Sequence, residues 1–280
     1  MNNKSLKIYY LASEIEPFSS TYPLAKFSKE FNSLLNESKE IDIRLIQPKY
    51  GYISERKYIL REVIRLKDLS IDFQDKQHIV NLKSAFIPNT RVQLYFMEHK
   101  EYFSNIKELL YKSRNGRLYN NNHEKFAFFS KVVLESLNKL FWYPDLIICN
   151  DWQMSFLPII FNQFYRKKID KFKDTKIISM IHSYDDLCKF PNSLFKSLDI
   201  DYNTKKRSQN TLELAFEYSD FVYIFDDGKL LKKISKNKNI ETFLNKKNKC
   251  KVIDVKELDF SEKIEMYNSL KDDFYSISKK

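Results

Sequence analysis

Short, almost uninterrupted apolar runs are the feature that most restricts how this chain can fold. They occur at residues 146–149 (LIIC), 177–181 (IISMI) and 221–225 (FVYIF), and polar residues flank each of them. A strand without polar alternation is buried on both faces, as is usual in parallel sheets that helices cover on both sides. The sequence therefore predicts a parallel sheet between two layers of helices.

Amphipathic segments separate these runs, as crossover helices would. Residues 123–141 carry an apolar stripe at helical spacing, with large apolar side chains on one face. Further helices are predicted at residues 24–35, 154–165, 212–218 and 260–275. This alternation of strands and helices predicts an α/β fold, a Rossmann-like, doubly wound, mostly parallel sheet.

The other strands are predicted from runs rich in aromatic and β-branched residues. They lie at residues 7–13 (KIYYLAS), 41–47 and 251–255, with three more at 58–63, 79–85 and 92–97 that we interpret as an inserted strand region. No linker rich in proline, glycine and serine divides the chain. A single domain over residues 1–280 is therefore expected.

Glycine and cysteine usage excludes several kinds of site. The 3 glycines, Gly51, Gly116 and Gly228, stand far apart, which rules out a G-x-G-x-x-G or Walker-type phosphate loop. The 3 cysteines form no C-x-x-C pair, and the 4 histidines show no metal-binding spacing. We expect neither a metal nor a cofactor.

The formal net charge of +11 raises the question of a nucleic-acid partner. Lysine supplies most of the positive charge, whereas arginine is favoured for bidentate phosphate and guanine contacts. Lysine, asparagine and isoleucine are abundant together, a skew that an AT-rich genome produces without any such partner. No nucleic-acid role is expected, and we interpret the lysine-rich stretch 229–251 as a solvated surface.

The N-terminal residues are polar, and no apolar run approaches the length of about 18 residues that a membrane span needs. Neither a targeting signal nor a membrane partner is therefore expected. The expected location is the cytoplasm.

Polar residues follow three of the predicted strands. Glu14 follows the first strand, residues 150–153 (NDWQ) follow the LIIC run, and His182 follows the IISMI run. Ligands of open parallel sheets bind beyond the carboxyl ends of the strands, so these side chains are expected at one edge. Carboxylate, amide and imidazole groups bond sugar hydroxyls, and an indole face stacks on a pyranose, so the set suits sugar binding.

Each of these residues also has a purely structural interpretation. Glu14 could be a loop carboxylate, and Asp151 could cap the following helix. Trp152 could pack between helix and sheet, and His182 could be a structural histidine.

Several strings of the chain resemble, in order, motifs of bacterial glycogen synthases and plant starch synthases. They are YLASEIEPF at 10–18, QPKY at 47–50, the segment 116–135, WYPDLIICNDWQ at 142–153 and IISMIHS at 177–183. The likeness runs from about residue 6 to residue 225. The length and the EVIRL segment at 62–66 resemble a truncated branch of this family in Bacteroidetes-type bacteria.

The resemblance implies the N-terminal half of a GT-B glycosyltransferase. Enzymes of the family are retaining glucosyltransferases that move glucose from a nucleotide sugar to an α-1,4-glucan. By matching position, the resemblance implies that Glu14, Tyr119 and Asn122 face the glucan or the transferred sugar. It implies likewise that Asp151, Trp152 and His182 line the floor of the cleft. No residue is assigned as catalytic.

The chain departs from the family pattern where the family grips the sugar donor. At the family's K-x-G-G-L loop, Ser20 brings no charge and Pro23 has no N–H. Tyr22 stands at a glycine position and lacks glycine's freedom at positive φ. The other departures are Lys26, Asn150 and Ser183, in place of the family's Asp, His and Asn.

The family's second half, which holds the nucleotide, is expected to be absent from residues 1–280. Beside a glucosyltransferase of α-1,4-glucan metabolism that uses ADP-glucose or UDP-glucose, two interpretations stay open. One is a non-catalytic glucan-binding protein, and the other is a subunit whose nucleotide half comes from a partner chain. The expected partners are therefore α-1,4-glucan, nucleotide-glucose and a protein partner.

Overall fold

The computed structural model describes residues 5–107, 109–202, 208–245 and 249–279. Its strands are β1 (Leu6–Leu11), β2 (Ile41–Pro48), β3 (Arg61–Glu62), β4 (Leu69–Phe73), β5 (Lys76–Phe86), β6 (Gln93–Glu98), β7 (Leu146–Asn150), β8 (Lys176–Ile181), β9 (Lys189–Pro191), β10 (Ser208–Asn210), β11 (Phe221–Asp226) and β12 (Cys250–Asp254). Its helices are α1 (Pro23–Glu37), α2 (Glu55–Tyr58), α3 (Asn122–Leu140), α4 (Leu157–Phe164), α5 (Ser193–Ser197), α6 (Thr211–Tyr218), α7 (Leu230–Ile234), α8 (Lys238–Leu244) and α9 (Phe260–Ser278).

Ten of the described strands form one sheet, in the order β12-β11-β8-β7-β1-β2-β6-β5-β3, with β4 paired to β5 beside this path. Neighbours from β12 to β6 are parallel, whereas β5 is antiparallel to β6, β3 and β4. The predicted α/β fold with a mostly parallel sheet is confirmed. Of the strands in the inserted region, β6 continues the parallel part of the sheet, and β3, β4 and β5 form its antiparallel edge.

Helices cover both faces of the sheet, as two neighbouring tyrosines of β1 show. The hydroxyl of Tyr10 lies 3.0 Å from Ser28 on α1, and that of Tyr9 lies 3.5 Å from Ser136 on α3. Successive residues of a strand point to opposite faces, so α1 and α3 lie on opposite sides of the sheet. Both tyrosines are fully buried, and each hydroxyl has the partner that burial requires.

The closing helix α9 packs on α1. The ring of Phe31 lies 5.8 Å from that of Phe274, and Tyr267 donates a hydrogen bond to Glu30 at 3.2 Å. A capping box formed by Asp259 and Glu262 begins α9, because each side chain accepts a hydrogen bond from the other residue's backbone N–H. The predicted closing helix is therefore present, with its end at Ser278.

The strand predicted at 58–63 is mostly wrong. The structure has only Arg61 and Glu62 in a strand, whereas Tyr58 ends α2. The hydroxyl of Ser54 accepts a hydrogen bond from the Lys57 N–H and stabilises the first turn of this helix. Strand β4 was not predicted, although its alternating buried and exposed residues are typical of a half-buried strand.

The helix predicted at 154–165 is shorter than expected. Residues Trp152–Met154 form a separate 3-10 turn, and α4 begins at Leu157. Pro158 explains this start, because proline lacks an N–H and is tolerated in the first turn of a helix but not in its interior.

An ion pair joins the end of α4 to two strands. Arg166 donates hydrogen bonds to the Asp220 carboxylate before β11 and to the Thr175 carbonyl before β8, the latter at 3.1 Å. The Asp220 carboxylate also accepts from the Ile177 N–H at 2.8 Å. The pair therefore ties one crossover helix to the ends of adjacent parallel strands.

We expect Asp220→Asn to lower the free energy of unfolding by about 1.5–3 kcal/mol, because it leaves the half-buried Arg166 without its charged partner. Urea denaturation followed by circular dichroism measures this. The matched control is Asp186→Asn, which removes the ion pair with Lys189, where the two side chains are 86% and 64% exposed. That control is expected to change stability little. An equal loss in both variants would contradict the structural role of Asp220.

Candidate functional site

The ends of three neighbouring strands bring polar residues together at one edge of the sheet. Glu14, Asp151 and His182 follow β1, β7 and β8, which are adjacent and parallel. The N–H of Asp151 donates to the carbonyl of Met180 at 2.8 Å, and its carboxylate accepts from the His182 N–H at 2.6 Å. Asp151 and His182 are therefore in direct contact at the edge that the sequence predicts.

The carboxylate of Asp151 holds the loop that follows β8. Its Oδ1 accepts hydrogen bonds from the N–H groups of His182 and Ser183, and its Oδ2 accepts from the Ser183 hydroxyl at 3.2 Å. The side chain makes no capping bond to the turn that follows it, so the interpretation of Asp151 as a helix cap is wrong. The reason is its φ of 55°, a value that favours glycine and turns the residue out of the strand direction.

Burial shifts the pKa values of Asp151 and His182 in the directions that favour the neutral side chains. It raises the pKa of Asp151 to about 7, against the three hydrogen bonds from His182 and Ser183, which lower it. It lowers the pKa of His182 to about 3. The imidazole is therefore neutral at pH 7, and the carboxyl group changes its charge near that pH.

Asn150 fixes which ring nitrogen of His182 carries the proton. The Asn150 Nδ2 donates to the Leu11 carbonyl at 2.8 Å, so its Oδ1 faces the His182 Nε2 at 3.2 Å. Because Oδ1 only accepts, Nε2 carries the proton and Nδ1 remains a hydrogen-bond acceptor. The ring also stacks on Phe225, with centroids 4.4 Å apart and planes at 9°, which sets its orientation.

A cavity of about 110 Å³ opens at this edge of the sheet, lined among others by Asp151, Gln153, His182, Tyr22 and Tyr111. The Gln153 Nε2 donates to the Tyr111 hydroxyl at 2.8 Å. Its Oε1 is buried and has no hydrogen-bond partner among the described residues. A buried acceptor without a donor costs about 1–3 kcal/mol, so a hydroxyl donor that reached Oε1 would offset this cost.

Glu14 is buried and is not among the described residues that line this cavity. Its carboxylate accepts hydrogen bonds from the Thr21 N–H and, at 2.8 Å, from the Thr21 hydroxyl. Burial raises its pKa against these bonds. Glu14 thus orders the loop before α1, while the neighbouring Ser13 lines the cavity.

Trp152 lines the cavity but presents little surface to it. Only 2% of the residue is exposed, because its ring packs against Tyr111 and Phe126 at 5.3 Å from each. The expected stacking of a sugar therefore lacks an open indole face. Tyr22, which lines the same cavity and is 42% exposed, offers an aromatic face that the sequence analysis missed.

The structure separates the two remaining candidate residues. Asn122 begins α3, is buried, and donates to the Tyr111 carbonyl at 2.8 Å, so it supports the cavity wall from behind. Tyr119 is half-exposed and lines a different, neighbouring cavity. Of the six candidates, Asp151, Trp152 and His182 share the cavity lining.

Other features bear on partners. Within the described ranges, no group of three His, Cys, Asp or Glu residues could hold a metal ion, and no helix is long and apolar enough to span a membrane. Cys149 and Cys188 are buried and free. The lysine-rich stretch 229–251 lies partly outside the described residues, at 246–248.

The raised pKa of Asp151 predicts a pH-dependent stability. Between about pH 4 and pH 7 the folded chain keeps a proton that the unfolded chain loses, so stability falls as the pH rises through this window. Asp151→Asn removes this titration. Between pH 5 and pH 7.5, urea denaturation should show the wild type losing about 2 kcal/mol more than the variant. Equal changes in both proteins would contradict the burial of an ionisable Asp151.

Comparison with known proteins places the chain in a family. The family model described as "Starch synthase catalytic domain" matches residues 7–227. Glycogen synthase from Chlorobaculum parvum is 31% identical over 227 residues, which are 79% of this chain and 46% of the relative. Glycogen synthase from Pelodictyon phaeoclathratiforme is 33% identical over 183 residues, which are 65% of this chain and 37% of the relative. The chain thus spans less than half the length of these curated relatives.

A solved structure supports the fold. The catalytic domain of starch synthase IV from Arabidopsis thaliana, bound to ADP and acarbose, superposes with a TM-score of 0.73 at 18% identity. The match covers 90% of this chain and 52% of the plant chain, and it confirms the predicted GT-B-type fold. Because the family model matches well over half of its residues, the chain belongs to the glycogen and starch synthase family.

Proposed function

We propose that the chain acts in α-1,4-glucan metabolism and binds the end of a glucan chain at the cavity of Asp151, Gln153 and His182. The observation that carries this proposal is the buried Gln153 Oε1, an acceptor without a partner among the described residues, on a side chain that belongs to the cavity lining. The curated relatives are glycogen synthases, which supports a glucan as the ligand.

The chemistry of the cavity suits a neutral sugar. Gln153 Oε1, His182 Nδ1 and the Asp151 carboxylate are acceptors for hydroxyl donors. The half-exposed ring of Tyr22 supplies an apolar surface for one face of a pyranose. No lysine or arginine is among the described residues that line the cavity, so it offers no cation to an anionic ligand.

Transfer of glucose from ADP-glucose or UDP-glucose is the second candidate function. The ADP in the plant starch synthase structure favours it, as do Asp151 and His182, which match the family motifs. The loop before α1 argues against a firm hold on donor phosphates here, because Tyr22 precedes the helix and Pro23 lacks an N–H.

The decisive experiment pairs glycogen affinity electrophoresis with a radiolabel transfer assay using ADP-glucose and UDP-glucose. We expect retention by glycogen and no incorporation of label by the chain alone. Gln153→Leu should weaken retention about tenfold, because it removes the unpaired acceptor. Unchanged retention in this variant would contradict binding at the cavity. Incorporation that Asp151→Ala abolishes would establish the transferase instead.

The ring of Tyr22 gives a second prediction. Tyr22→Ala should weaken glycogen retention by about tenfold, whereas Tyr22→Phe should keep it, because the ring face rather than the hydroxyl contacts the sugar. The matched control is Phe260→Ala, which removes an 80% exposed aromatic ring on α9. Loss of retention in Tyr22→Phe, or an equal loss in the control, would contradict the stacking role.

A further inference from the structure

A second cavity, of about 450 Å³, lies beside the first and shares none of its described lining residues. Its lining includes Tyr119, Lys125 and Lys112. The volume lies in the usual range of small-molecule sites, about 300–1,000 Å³. Nothing in the glucan-binding proposal uses these residues, so the cavity needs an explanation of its own.

Lys125 is the unusual group of this cavity. The residue is only 5% exposed, and its ammonium group has no hydrogen-bond or ion-pair partner among the described residues. The ammonium nitrogen lies 4.8 Å from the centroid of the Tyr119 ring. Burial lowers the pKa of Lys125 to about 8, so most of the group is still charged at pH 7. The aliphatic part of the side chain is buried while its ammonium group reaches the cavity, so an anion bound there would pair with it.

Most of the charged residues in the described lining are basic, while the adjacent Glu124 carboxylate acts on Lys125 from outside that lining. Lys107, Lys112 and Arg114 line the cavity together with Lys125, and Glu101 is the acidic residue in the described lining. Lys125 lies in the first turn of α3, which places the positive end of that helix dipole at the cavity. Attraction of an anion therefore has several independent sources.

A tight hairpin presents two of these residues. Lys112 pairs with Leu118 in an antiparallel bridge, and the Tyr119 N–H donates to the Tyr111 carbonyl at 3.0 Å. Gly116, at φ +82°, makes the turn between them, a conformation that side-chain-bearing residues rarely adopt. The hairpin holds Lys112 and the Tyr119 ring on the same side as Lys125.

We propose that this cavity binds a phosphate group carried by a sugar. Lys125 and Lys112 hold the phosphate, and the exposed part of the Tyr119 ring contacts the apolar face of the sugar. The site differs in charge from the glucan cavity, and this proposal does not depend on the glucan-binding proposal.

Isothermal titration calorimetry on the full chain at pH 7 tests the site with glucose 1-phosphate, inorganic phosphate and glucose. Glucose 1-phosphate should bind at least about tenfold more tightly than inorganic phosphate, and glucose should give no binding in the same range. Equal affinity for glucose 1-phosphate and inorganic phosphate would mean an adventitious ion only and would overturn the proposal. So would binding of glucose as tight as that of its phosphate.

Single substitutions test whether glucose 1-phosphate binds at the cavity of Lys125. Lys125→Met should weaken glucose 1-phosphate binding at least about tenfold, whereas Lys139→Gln, an exposed lysine at the far end of α3, should leave it unchanged. Equal affinities of these two variants would overturn the proposal. If circular dichroism shows that Lys125→Met does not fold, Lys112→Gln and Tyr119→Leu replace it as test variants. Wild-type affinity for glucose 1-phosphate in both would overturn the proposal. Gln153→Leu should bind glucose 1-phosphate normally, which separates this site from the glucan cavity.

Discussion

The carboxylate of Asp151 is the interaction on which the candidate site depends. It accepts hydrogen bonds from the N–H groups of His182 and Ser183, so it joins the end of β7 to the loop after β8. Asp151 has an unusual φ of 55° at the point where the chain leaves β7. Without this link, His182 would lose the backbone anchor that holds its ring over Phe225. A strained and buried acid thus builds the wall of a cavity that no described lysine or arginine lines.

The sheet makes this arrangement available. β1, β7 and β8 are central and parallel, so their carboxyl ends lie side by side while helices bury both faces. The antiparallel strands β3, β4 and β5 extend the far edge of the sheet and contribute nothing to the lining of this cavity. The candidate site therefore lies on the parallel, Rossmann-like part of the sheet.

The two neighbouring cavities differ in charge. The cavity of Asp151, Gln153 and His182 presents acceptors and no described cation, which suits a neutral sugar. The cavity of Lys125 presents the ammonium group of this residue and further basic side chains, which suit an anion. In the sequence, the residues of both cavities lie within the single long segment that resembles the glycogen and starch synthase family. Their separation into two chemical environments comes from the packing of α3 and the hairpin before it.

Much of the fold could be predicted from the sequence, because fully buried parallel strands leave uninterrupted apolar runs such as LIIC and IISMI. The meeting of Asp151 with His182 could be predicted for the same reason, since adjacent parallel strands end at one edge. The burial of Trp152, the exposed ring of Tyr22 and the unpaired Gln153 Oε1 could not. These properties depend on contacts between residues far apart in the chain, such as Gln153 with Tyr111. Local pattern determined where the polar groups stand, and only tertiary packing decided which of them face a ligand.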